Sequence, residues 1–353
     1  MIFYPSCLII SDFDEAPGLR NVISHLSDDT FPFVLSKAGL GYQYVATITE
    51  HEEYRVSLAL NDGTEIRMDH VQSVWLHYVV DHRYNKQPEH IKKYVSYEKI
   101  YFWKWMVNAL TFLPNARWYN NPEAMDIAEH KTHQRRMARD VGFCVPQSII
   151  TCDRSDAEQF LAEDKQFIFK MLYTWMDKDI FFEPTRLFTK DMLPLLDSLY
   201  LCPVYFQEYI DGPYDYRVTV VDDAMIAVRY DTQKRDYPFD MRINIYQGQE
   251  QCVLPEAVQQ NIHALMKRLG LRYGAIDLRE DKNGEFYFLE VNPSGSFSWV
   301  DKSSGTNIAK TIAKALSCTK HDYQKDSVPH AKFFNSFEDI PFAVRVEKPV
   351  WSV

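Results

Sequence analysis

Residues 273–301, YGAIDLREDKNGEFYFLEVNPSGSFSWVD, contain two alternating strands on either side of Asn283-Gly284. This dipeptide is typical of a two-residue type I′ turn, in which both central residues need positive φ. With those two residues as the loop, Asp277 lies directly opposite Glu290 on the second strand. The segment therefore predicts a β-hairpin that brings two carboxylates together.

Alternation places four side chains of the second strand on one face, namely Phe286, Phe288, Glu290 and Asn292. Asn292 then lies opposite Ala275, and opposed Cβ atoms are about 4.5–5.5 Å apart. Carboxylates at that distance repel each other, whereas Mg²⁺ accepts oxygen ligands, usually one or two carboxylates plus substrate phosphates. We therefore expect a metal site at Asp277, Glu290 and Asn292. The alternative is an ordinary hairpin with a solvated acidic face, and two phenylalanines on that face argue against it.

The composition is that of a globular protein, because 46% of the 353 residues are hydrophobic. No apolar run is long enough to cross a bilayer and the N-terminus lacks a signal-peptide pattern, so we expect a cytoplasmic protein with no membrane partner. Six cysteines without a CxxC pair favour reduced thiols. A formal net charge of −10 disfavours nucleic acid as a partner.

Helical and strand patterns divide the chain into four segments. Residues 1–114 predict an N-terminal α/β domain, 115–206 a central subdomain, 207–318 a C-terminal subdomain with the metal site, and 319–353 a polar tail. A helix is expected from Asn121-Pro122 to Gly142, where glycine ends it. A strand is expected over residues 204–210.

Three features of the central segment and of the start of the C-terminal segment suit a nucleotide pocket. Lys131 and Lys170 supply ammonium groups for phosphates, and the strand ending in Gln207-Glu208-Tyr209-Ile210 offers an edge whose peptide groups can pair with adenine. Either lysine alone would more often be an ordinary surface residue. The sequence has no Walker A loop and no GxGxxG motif.

The order of these features resembles the ATP-grasp ligases, and most closely the ribosomal-peptide maturases that make graspetides of the microviridin type. More distantly it is similar to the ribosomal-protein glutamate ligase and glutathione synthetase group. The resemblance covers residues 1 to about 316. Its motifs are Lys131 to Pro146, Lys170, Gln207 to Ile210, Asp215 to Val221, Asp240-x-Arg242-x-Asn244, Gly274 to Leu278 and Phe288 to Gly295.

The resemblance implies an α/β ATP-grasp fold with an N-terminal pre-ATP-grasp domain, a central domain and a C-terminal ATP-grasp domain. It implies ATP and Mg²⁺ as cofactors. The residues implied to bind nucleotide are Lys131, Lys170, Gln207, Glu208, Tyr209, Ile210 and Asp215. Those implied to bind metal are Asp277, Glu290 and Asn292. Arg217, Arg242 and Asn244 are implied to be catalytic, the arginines as electrostatic stabilisers; the alternative for the arginines is an ion pair with Asp215 or Asp240.

The implied reaction phosphorylates an Asp or Glu side chain of a ribosomal precursor peptide, and a Thr, Ser or Lys side chain then attacks the acyl phosphate. The resemblance also allows a homodimer. Two alternatives stay open, an intermolecular amino-acid ligase and a non-catalytic peptide- or nucleotide-binding module.

Two segments depart from the family pattern. Residues 172–184 contain no glycine but four aromatic residues, so the sequence leaves open how this loop closes, and an aromatic lid would exclude water as well as a glycine-rich flap. Pro341 to Arg345 in the tail is similar to the leader signature of precursor peptides. We expect this tail either to occupy the leader-binding site of its own chain or to form a short strand on a domain edge.

Overall fold

The computed structural model describes residues 1–11, 16–41, 43–50, 54–77, 89–172, 184–240, 243 and 248–317. Within these ranges the chain forms four β-sheets and eight α-helices. The architecture is of mixed α/β type, as expected from the sequence.

The N-terminal unit contains two four-stranded sheets. Its elements are β1 (Ile2–Phe3), β2 (Cys7–Ile10), α1 (Ala16–Ser24), β3 (Pro32–Leu35), β4 (Tyr44–Glu50), β5 (Tyr54–Leu60), β6 (Glu65–Arg67), β7 (Ser73–Leu76), α2 (Glu89–Leu110) and β8 (Arg117–Tyr119). The sheet β3-β2-β7-β8 is parallel, and its β2 is buried throughout, as expected for a parallel sheet covered on both faces. The second sheet has the order β1-β6-β5-β4.

The central unit is an antiparallel sheet with its own small core. Its elements are α3 (Pro122–Glu129), α4 (Lys131–Asp140), β9 (Ser148–Thr151), α5 (Arg154–Leu161), β10 (Phe167–Lys170), β11 (Arg186–Phe188), a 3₁₀ segment (Lys190–Leu201) and β12 (Val204–Glu208). The strand order is β11-β10-β12-β9. Ala157, Leu196, Leu199 and Phe206 form the core of this unit.

The single helix expected from Asn121 to Gly142 is instead two helices. His130 between them is extended, with φ −73° and ψ 106°. The side-chain amide of Gln134 donates to the Ala128 carbonyl, so this carbonyl of α3 is satisfied without continuing the helix. The prediction of one continuous helix was wrong at His130, because a side chain of the second helix, Gln134, caps the end of the first helix.

The C-terminal unit is a five-stranded antiparallel sheet. Its elements are β13 (Tyr214–Val221), β14 (Ala224–Asp231), β15 (Gln249–Cys252), α6 (Glu256–Leu269), β16 (Tyr273–Glu280), β17 (Phe286–Asn292), α7 (Ser298–Ser304) and α8 (Ile308–Leu316). The order is β15-β14-β13-β16-β17. Helix α6 covers one face with Val258, Ile262, Leu265, Met266 and Leu269, an apolar stripe at helical spacing. It ends at Gly270, whose φ of 69° is left-handed.

One hydrophobic core joins the two ends of the chain. Trp75 of β7 and Val22 of α1 pack in the same cluster as Tyr273 of β16 and Ile312 of α8. The Ser73 hydroxyl donates to the Leu316 carbonyl at 2.7 Å. The N-terminal and C-terminal sheets are therefore held against each other by packing. No helix within the described ranges has the length and apolar character needed to span a membrane.

The turn between β16 and β17 differs from the expected type I′ turn. Asp281 N–H donates to the Glu285 carbonyl at 3.0 Å, and Gly284 N–H donates to the Asp281 carbonyl at 3.2 Å, which makes residues 282–284 the loop. Only Gly284 has positive φ, 82°, whereas a type I′ turn needs two such residues. A three-residue loop with one left-handed glycine is the other common hairpin solution.

The predicted pairing of Asp277 with Glu290 is nevertheless confirmed, and so is that of Ala275 with Asn292. A β-bulge explains this, because Leu278 pairs with Phe288 and the intervening Leu289 has no partner. The extra residue in the strand compensates for the extra residue in the loop.

The bulge also changes which side chains share a face. Phe286 and Phe288 pack in the core beneath α6, together with Ile276 and Val291. The expectation that these phenylalanines lie beside Glu290 was wrong, because the bulge shifts the alternation by one residue between Phe288 and Glu290.

Candidate active site

Three charged side chains form a row across the C-terminal sheet. Arg217 on β13 lies directly opposite Asp277 on β16, which lies directly opposite Glu290 on β17. Arg217 Nη1 donates to both carboxylate oxygens of Asp277, at 2.9 and 3.1 Å. Arg217 also donates to the Ser296 carbonyl at 3.3 Å, and its guanidinium lies 5.8 Å from the ring centroid of Trp299. The pair is buried and held from several sides.

Lys131 extends this row from the first position of α4. Its ammonium group donates to Glu290 Oε2. The helix is fixed by Gln134, which accepts from Val291 N–H at 3.0 Å and donates to the Val291 carbonyl at 2.8 Å. The start of α4 is therefore anchored to the strand that carries Glu290.

Lys170 lies at the end of β10, with its ammonium group 4.8 Å from the ring centroid of Tyr205. Burial lowers the pKa of Lys170 to about 8, and the positive charges of Lys131 and Arg135 act in the same direction. Glu290 opposes this shift only in part. A buried cation in this state is stabilised by any anion that binds beside it.

The two carboxylates of the row differ in their electrostatic environment. Burial raises the pKa of Asp277, and the charge of Glu290 adds to this against the opposing effect of Arg217. Burial also acts to raise the pKa of Glu290, but Lys131 and Lys170 outweigh it and the net pKa is lowered. Arg217 therefore offsets the burial of Asp277 only in part, whereas two lysines more than offset the burial of Glu290.

This arrangement fits a hard divalent cation. Asn292 lies two residues beyond Glu290 and donates to Glu290 Oε1 at 3.2 Å, which keeps the amide beside that carboxylate. In the described part of the chain, no group of three or more His, Cys, Asp or Glu side chains is arranged to hold a metal. Two carboxylates and one amide oxygen leave positions for phosphate oxygens and water, which is the coordination that Mg²⁺ prefers.

The expected adenine-binding edge is not an edge at Gln207. Strand β12 lies between β10 and β9, so Gln207 is paired on both sides and buried. Glu208 ends the strand, and its carboxylate accepts from Gln147 N–H at 3.2 Å. This part of the prediction was wrong because β9, which covers the edge, comes from distant sequence.

The two residues after Glu208 leave the sheet. Tyr209 N–H donates to the Gln166 carbonyl at 2.8 Å, and the Ile210 carbonyl accepts from Arg279 at 2.9 Å. Among the described residues, none accepts a hydrogen bond from Ile210 N–H. The connection between the central and C-terminal sheets therefore has one peptide donor available to a ligand.

Asp215 lies in a buried cluster with two arginines. It is opposite Arg279 in the sheet and accepts from both Arg279 and Arg235, with Arg279 Nη2 at 2.9 Å from Asp215 Oδ2. Arg279 also donates to the Ile210 carbonyl and lies with its guanidinium 5.2 Å from the Tyr209 ring centroid. Asp215 thus positions the connection after Glu208 through Arg279. The ion pair considered between Arg217 and Asp215 does not form, because Arg217 pairs with Asp277.

Several residues of this region were not identified from the sequence. They are Arg135, Tyr205, Arg235 and Arg279. Of these residues, Arg279 alone could have been identified from the sequence, because it follows Asp277 by two residues and alternation places both side chains on one face. The others come from segments whose proximity depends on tertiary packing.

Some predicted residues lie outside the described residues. These are Arg242, Asn244, the lid residues 173–183 and the tail from residue 318, including Pro341 to Arg345. Asp240, which precedes Arg242, is buried and accepts from Thr185 N–H at 3.0 Å. Lys131, Lys170, Arg217, Asp277, Glu290 and Asn292 are brought together as expected.

Comparison with known proteins gives one family and a set of similar folds. The model of the RimK-like ATP-grasp domain matches residues 128–316. A RiPP-associated ATP-grasp ligase from Chryseobacterium gregarium, solved with ADP and a leader and core peptide, has a TM-score of 0.78 at 21% sequence identity. The alignment covers 88% of this chain and 96% of the ligase chain. The macrocyclase MdnC of Microcystis aeruginosa MRC, bound with precursor peptide MdnA, has a TM-score of 0.76 at 21% identity over 90% and 99% of the two chains.

The sequence relatives are more limited in extent. Tetrahydromethanopterin:alpha-L-glutamate ligase of Methanocaldococcus jannaschii is 32% identical over 123 residues, which are 33% of this chain and 40% of that protein. A probable alpha-L-glutamate ligase of Haemophilus influenzae is 31% identical over 110 residues, 30% of this chain and 36% of its own. The chain thus spans about 40% or less of the length of these curated relatives.

Proposed function

Because the chain belongs to the RimK-like ATP-grasp family, we propose that it is an ATP-dependent ligase that joins a carboxylate to an amine or a hydroxyl. The observation that carries the proposal is the buried row Arg217–Asp277–Glu290, with Lys131 bound at its end. Such a row places positive charge for phosphates beside oxygen ligands for a metal.

Each basic side chain has a specific role in this proposal. Lys131 and Lys170 bind the phosphates of ATP, and the lowered pKa of Lys170 reflects a buried cation that gains stability when the triphosphate enters. Arg217 is held by Asp277 and Ser296 so that its position does not change as charge develops on the transferred phosphoryl group. Arg242 and Asn244 are proposed to act at the same step.

Asp277, Glu290 and Asn292 are proposed to hold Mg²⁺. The ion would neutralise phosphate charge and orient the triphosphate. Ile210 N–H is proposed to donate to adenine, with Gln207, Glu208 and Tyr209 beside it. Asp215 keeps this segment in place through Arg279.

The proposed reaction has two balanced steps. A substrate carboxylate oxygen forms a bond to the γ-phosphorus of ATP as the bond to the β–γ bridging oxygen breaks, which gives an acyl phosphate and ADP. A hydroxyl or amine then attacks the acyl carbon, loses its proton and displaces phosphate. The substrate loses the elements of one water for each bond formed.

We propose a ribosomal precursor peptide as substrate, with Asp or Glu side chains joined to Thr, Ser or Lys side chains. One enzyme of the same fold was solved with a leader and core peptide, and another with a precursor peptide. The alignment with this chain covers nearly the whole length of both enzymes. A third enzyme, the ATP-grasp ligase PsnB, was solved with a phosphomimetic variant of its minimal precursor, Mg and ADP. Its TM-score with this chain is 0.71 at 23% sequence identity, and the alignment covers 88% of this chain and 97% of the PsnB chain.

The second candidate is an intermolecular ligase that adds an amino acid to its substrate. The observation in its favour is that the sequence relatives are named as glutamate ligases. The two activities share ATP, metal and acyl-phosphate chemistry, so the active-site row is compatible with both.

Mass spectrometry tests the proposal. The purified protein is incubated with Mg²⁺, ATP and the product of a short reading frame adjacent to its gene, and both peptide mass and ADP are measured. Loss of the mass of one water per step supports a macrocyclase, whereas a gain of one residue mass supports the intermolecular ligase. Absence of ADP release with every peptide and amino acid offered contradicts a ligase and supports a binding module.

Glu290→Gln is the matched variant for this assay. The substitution removes one charge from the row while it preserves the shape of the side chain, so we expect loss of ADP release by a variant that still folds. Glu285→Gln, in the same hairpin but exposed, is the control and is expected to keep full activity. Wild-type turnover by Glu290→Gln would contradict the proposed metal role.

A further inference from the structure

Tyr205 on β12 is buried beside charged and polar side chains. It is 1% exposed, and its neighbour Phe206 packs on the opposite face of the sheet in the small core of the central unit. Tyr205 lies directly opposite Lys170 of β10 and contacts Lys170, Arg135 and Gln207. Packing of a hydrophobic core therefore does not account for a buried aromatic ring at this position.

Two cations lie against the ring of Tyr205. The Lys170 ammonium nitrogen is 4.8 Å from the ring centroid, and Arg135 Cζ is 5.9 Å from it. An aromatic ring attracts a cation at such distances, and the attraction is stronger when both groups are removed from water. Arg135 follows Lys131 by four residues on α4, so the two side chains leave the same side of that helix. The ring thus holds one cation from β10 and one from α4.

The two cations held by the ring repel each other. Burial lowers the pKa of Lys170 to about 8, and the charge of Arg135 acts in the same direction. Arg135 Nη2 donates to the Pro146 carbonyl, whereas its Nη1 is buried and has no hydrogen-bond partner in the described part of the chain. Like charges held together are unfavourable on their own, and an anion that binds beside them relieves the repulsion. The arrangement therefore suits an anionic ligand.

The hydroxyl of Tyr205 makes a separate contact with Gln207. It donates to Gln207 Oε1 at 3.2 Å. Because the oxygen of this amide accepts from Tyr205, the amide nitrogen points away from the ring and keeps its two N–H donors for another partner. Gln207 lies three residues before Ile210, whose N–H is proposed to donate to adenine. Tyr205 therefore connects the cations with the segment proposed to bind the base.

We propose that Tyr205 is a positioning residue for the nucleotide, whose ring fixes Lys170 and Arg135 for the phosphates and whose hydroxyl orients Gln207 beside the base. This inference rests on the proposed function, since ATP is the ligand that these groups would bind. It also adds Arg135 to the cations of the site. Side chains that are fixed before the ligand arrives lose less freedom on binding. Loss of Tyr205 should therefore weaken nucleotide binding although Tyr205 itself does not bind the nucleotide.

Calorimetric titration of the full chain with Mg-ADP and with Mg-tripolyphosphate separates the two contacts, because tripolyphosphate has no base. Tyr205→Leu removes the ring and the hydroxyl and should weaken the binding of both ligands roughly tenfold. Tyr205→Phe keeps the ring, so its affinity for tripolyphosphate should equal that of the wild type, whereas Mg-ADP should bind roughly fivefold more weakly. Phe206→Leu is the matched control, because it removes a buried ring from the opposite face of the same strand. It should lower the thermal transition and leave both affinities unchanged.

A double-mutant cycle tests whether Tyr205 acts through Arg135. Arg135→Met removes one cation and should itself weaken the binding of tripolyphosphate, whereas Arg139→Met, exposed on the same helix, should not. One of the two cation contacts of the ring is then absent, so Tyr205→Leu should cost less affinity in the Arg135→Met background than in the wild type.

Three results would each overturn the proposal: wild-type affinity of Tyr205→Leu for tripolyphosphate, an equal loss in Phe206→Leu, or strictly additive losses in the cycle. If Tyr205→Leu does not fold, the split between the two ligands in Tyr205→Phe and the comparison of Arg135→Met with Arg139→Met decide the question. A wild type that binds neither ligand contradicts the proposed function as well, whereas binding that is insensitive to Tyr205 refutes this inference alone. Ligation is not measured, so an incorrect peptide substrate does not affect the result.

Discussion

Arg217 and Asp277 face each other on adjacent strands, and one guanidinium nitrogen lies 2.9 and 3.1 Å from the two oxygens of the carboxylate. Both side chains are buried, so the pair has little access to water. A pair of this kind contributes less to net stability than to holding each partner in position, whereas loss of one partner leaves an uncompensated charge.

Arg217→Ala should lower the free energy of unfolding by about 3 kcal/mol, because Asp277 then stays buried without its partner. Adding Asp277→Asn to this variant removes the uncompensated charge and should recover more than half of the loss. Urea denaturation of the two single variants and the double variant measures both effects. If the losses of the single variants simply add, the two side chains are not energetically coupled and our interpretation of the pair is incorrect.

The affinity for nucleotide should depend on pH through Lys170. Its pKa of about 8 lies below the ordinary lysine value, and a bound triphosphate favours the charged form, so the pKa rises on binding. Affinity should therefore be constant below about pH 8 and fall by up to about tenfold per pH unit above it, with proton uptake on binding. Titration calorimetry with Mg-ADP in two buffers of different ionisation enthalpy measures both quantities.

Lys170 should also make the free energy of unfolding depend on pH. Because the folded-state pKa is depressed, the unfolded chain binds more protons between about pH 8 and the ordinary lysine pKa, and stability rises with pH across that window. Lys170→Arg keeps its charge throughout and should abolish both pH dependences. If the nucleotide affinity of the wild type does not change between about pH 7 and about pH 9.5, limits that lie roughly one pH unit or more on each side of the transition, then Lys170 does not face the nucleotide from a buried position.

Gly295→Ala should damage activity by displacing Arg217. A methyl group at this position would lie 2.5 Å from Ala275 Cβ and 3.0 Å from Arg217 Nη2, which is closer than packed atoms allow. We expect a loss of about 1–3 kcal/mol in stability and a fall in kcat larger than any change in the KM for ATP. ADP release and thermal unfolding measure the two effects.

Gly305→Ala is the matched control for this change. Gly305 has a φ of 65°, and a methyl group added there would have no neighbouring atom within 4 Å, so substitution costs about 1 kcal/mol through the backbone alone. Its kcat should equal that of the wild type. Equal kcat for both glycine variants would show that the space around Gly295 does not matter for catalysis.

Asp215→Ala should destabilise the fold by about 3–5 kcal/mol, because Arg235 and Arg279 would lose their shared buried carboxylate. The KM for ATP should also rise, since Arg279 holds the Ile210 carbonyl. Asp211→Ala breaks an exposed ion pair with Lys282 and should leave both stability and KM nearly unchanged. Chemical denaturation and steady-state kinetics compare the two variants.

The central part of the site could be predicted because local patterns determine it. The pairing of Asp277 with Glu290 depends on a short hairpin, in which alternation and a glycine-containing turn define the register. The prediction nevertheless succeeded through two compensating features, a longer loop and an unpaired Leu289. A bulge depends on how the strand packs beneath α6, and this information is absent from the local pattern.

Long-range pairings could not be predicted in the same way. The position of β12 inside its sheet depends on β9, and Arg235 reaches Asp215 from a loop that follows β14. In each case the partner is distant in sequence, and nothing in the spacing of either segment identifies the other.

The core shared by Trp75 and Leu316 has a consequence for biosynthesis. Roughly 240 residues separate these positions, and at about 5–20 residues per second a ribosome needs roughly 10–50 s to deliver the second after the first. During that interval the nascent N-terminal unit presents apolar surface that α8 and the C-terminal sheet later cover. This surface is a natural binding site for a chaperone, and the emergence of α8 from the ribosome, rather than completion of the first unit, sets the moment at which this core can close.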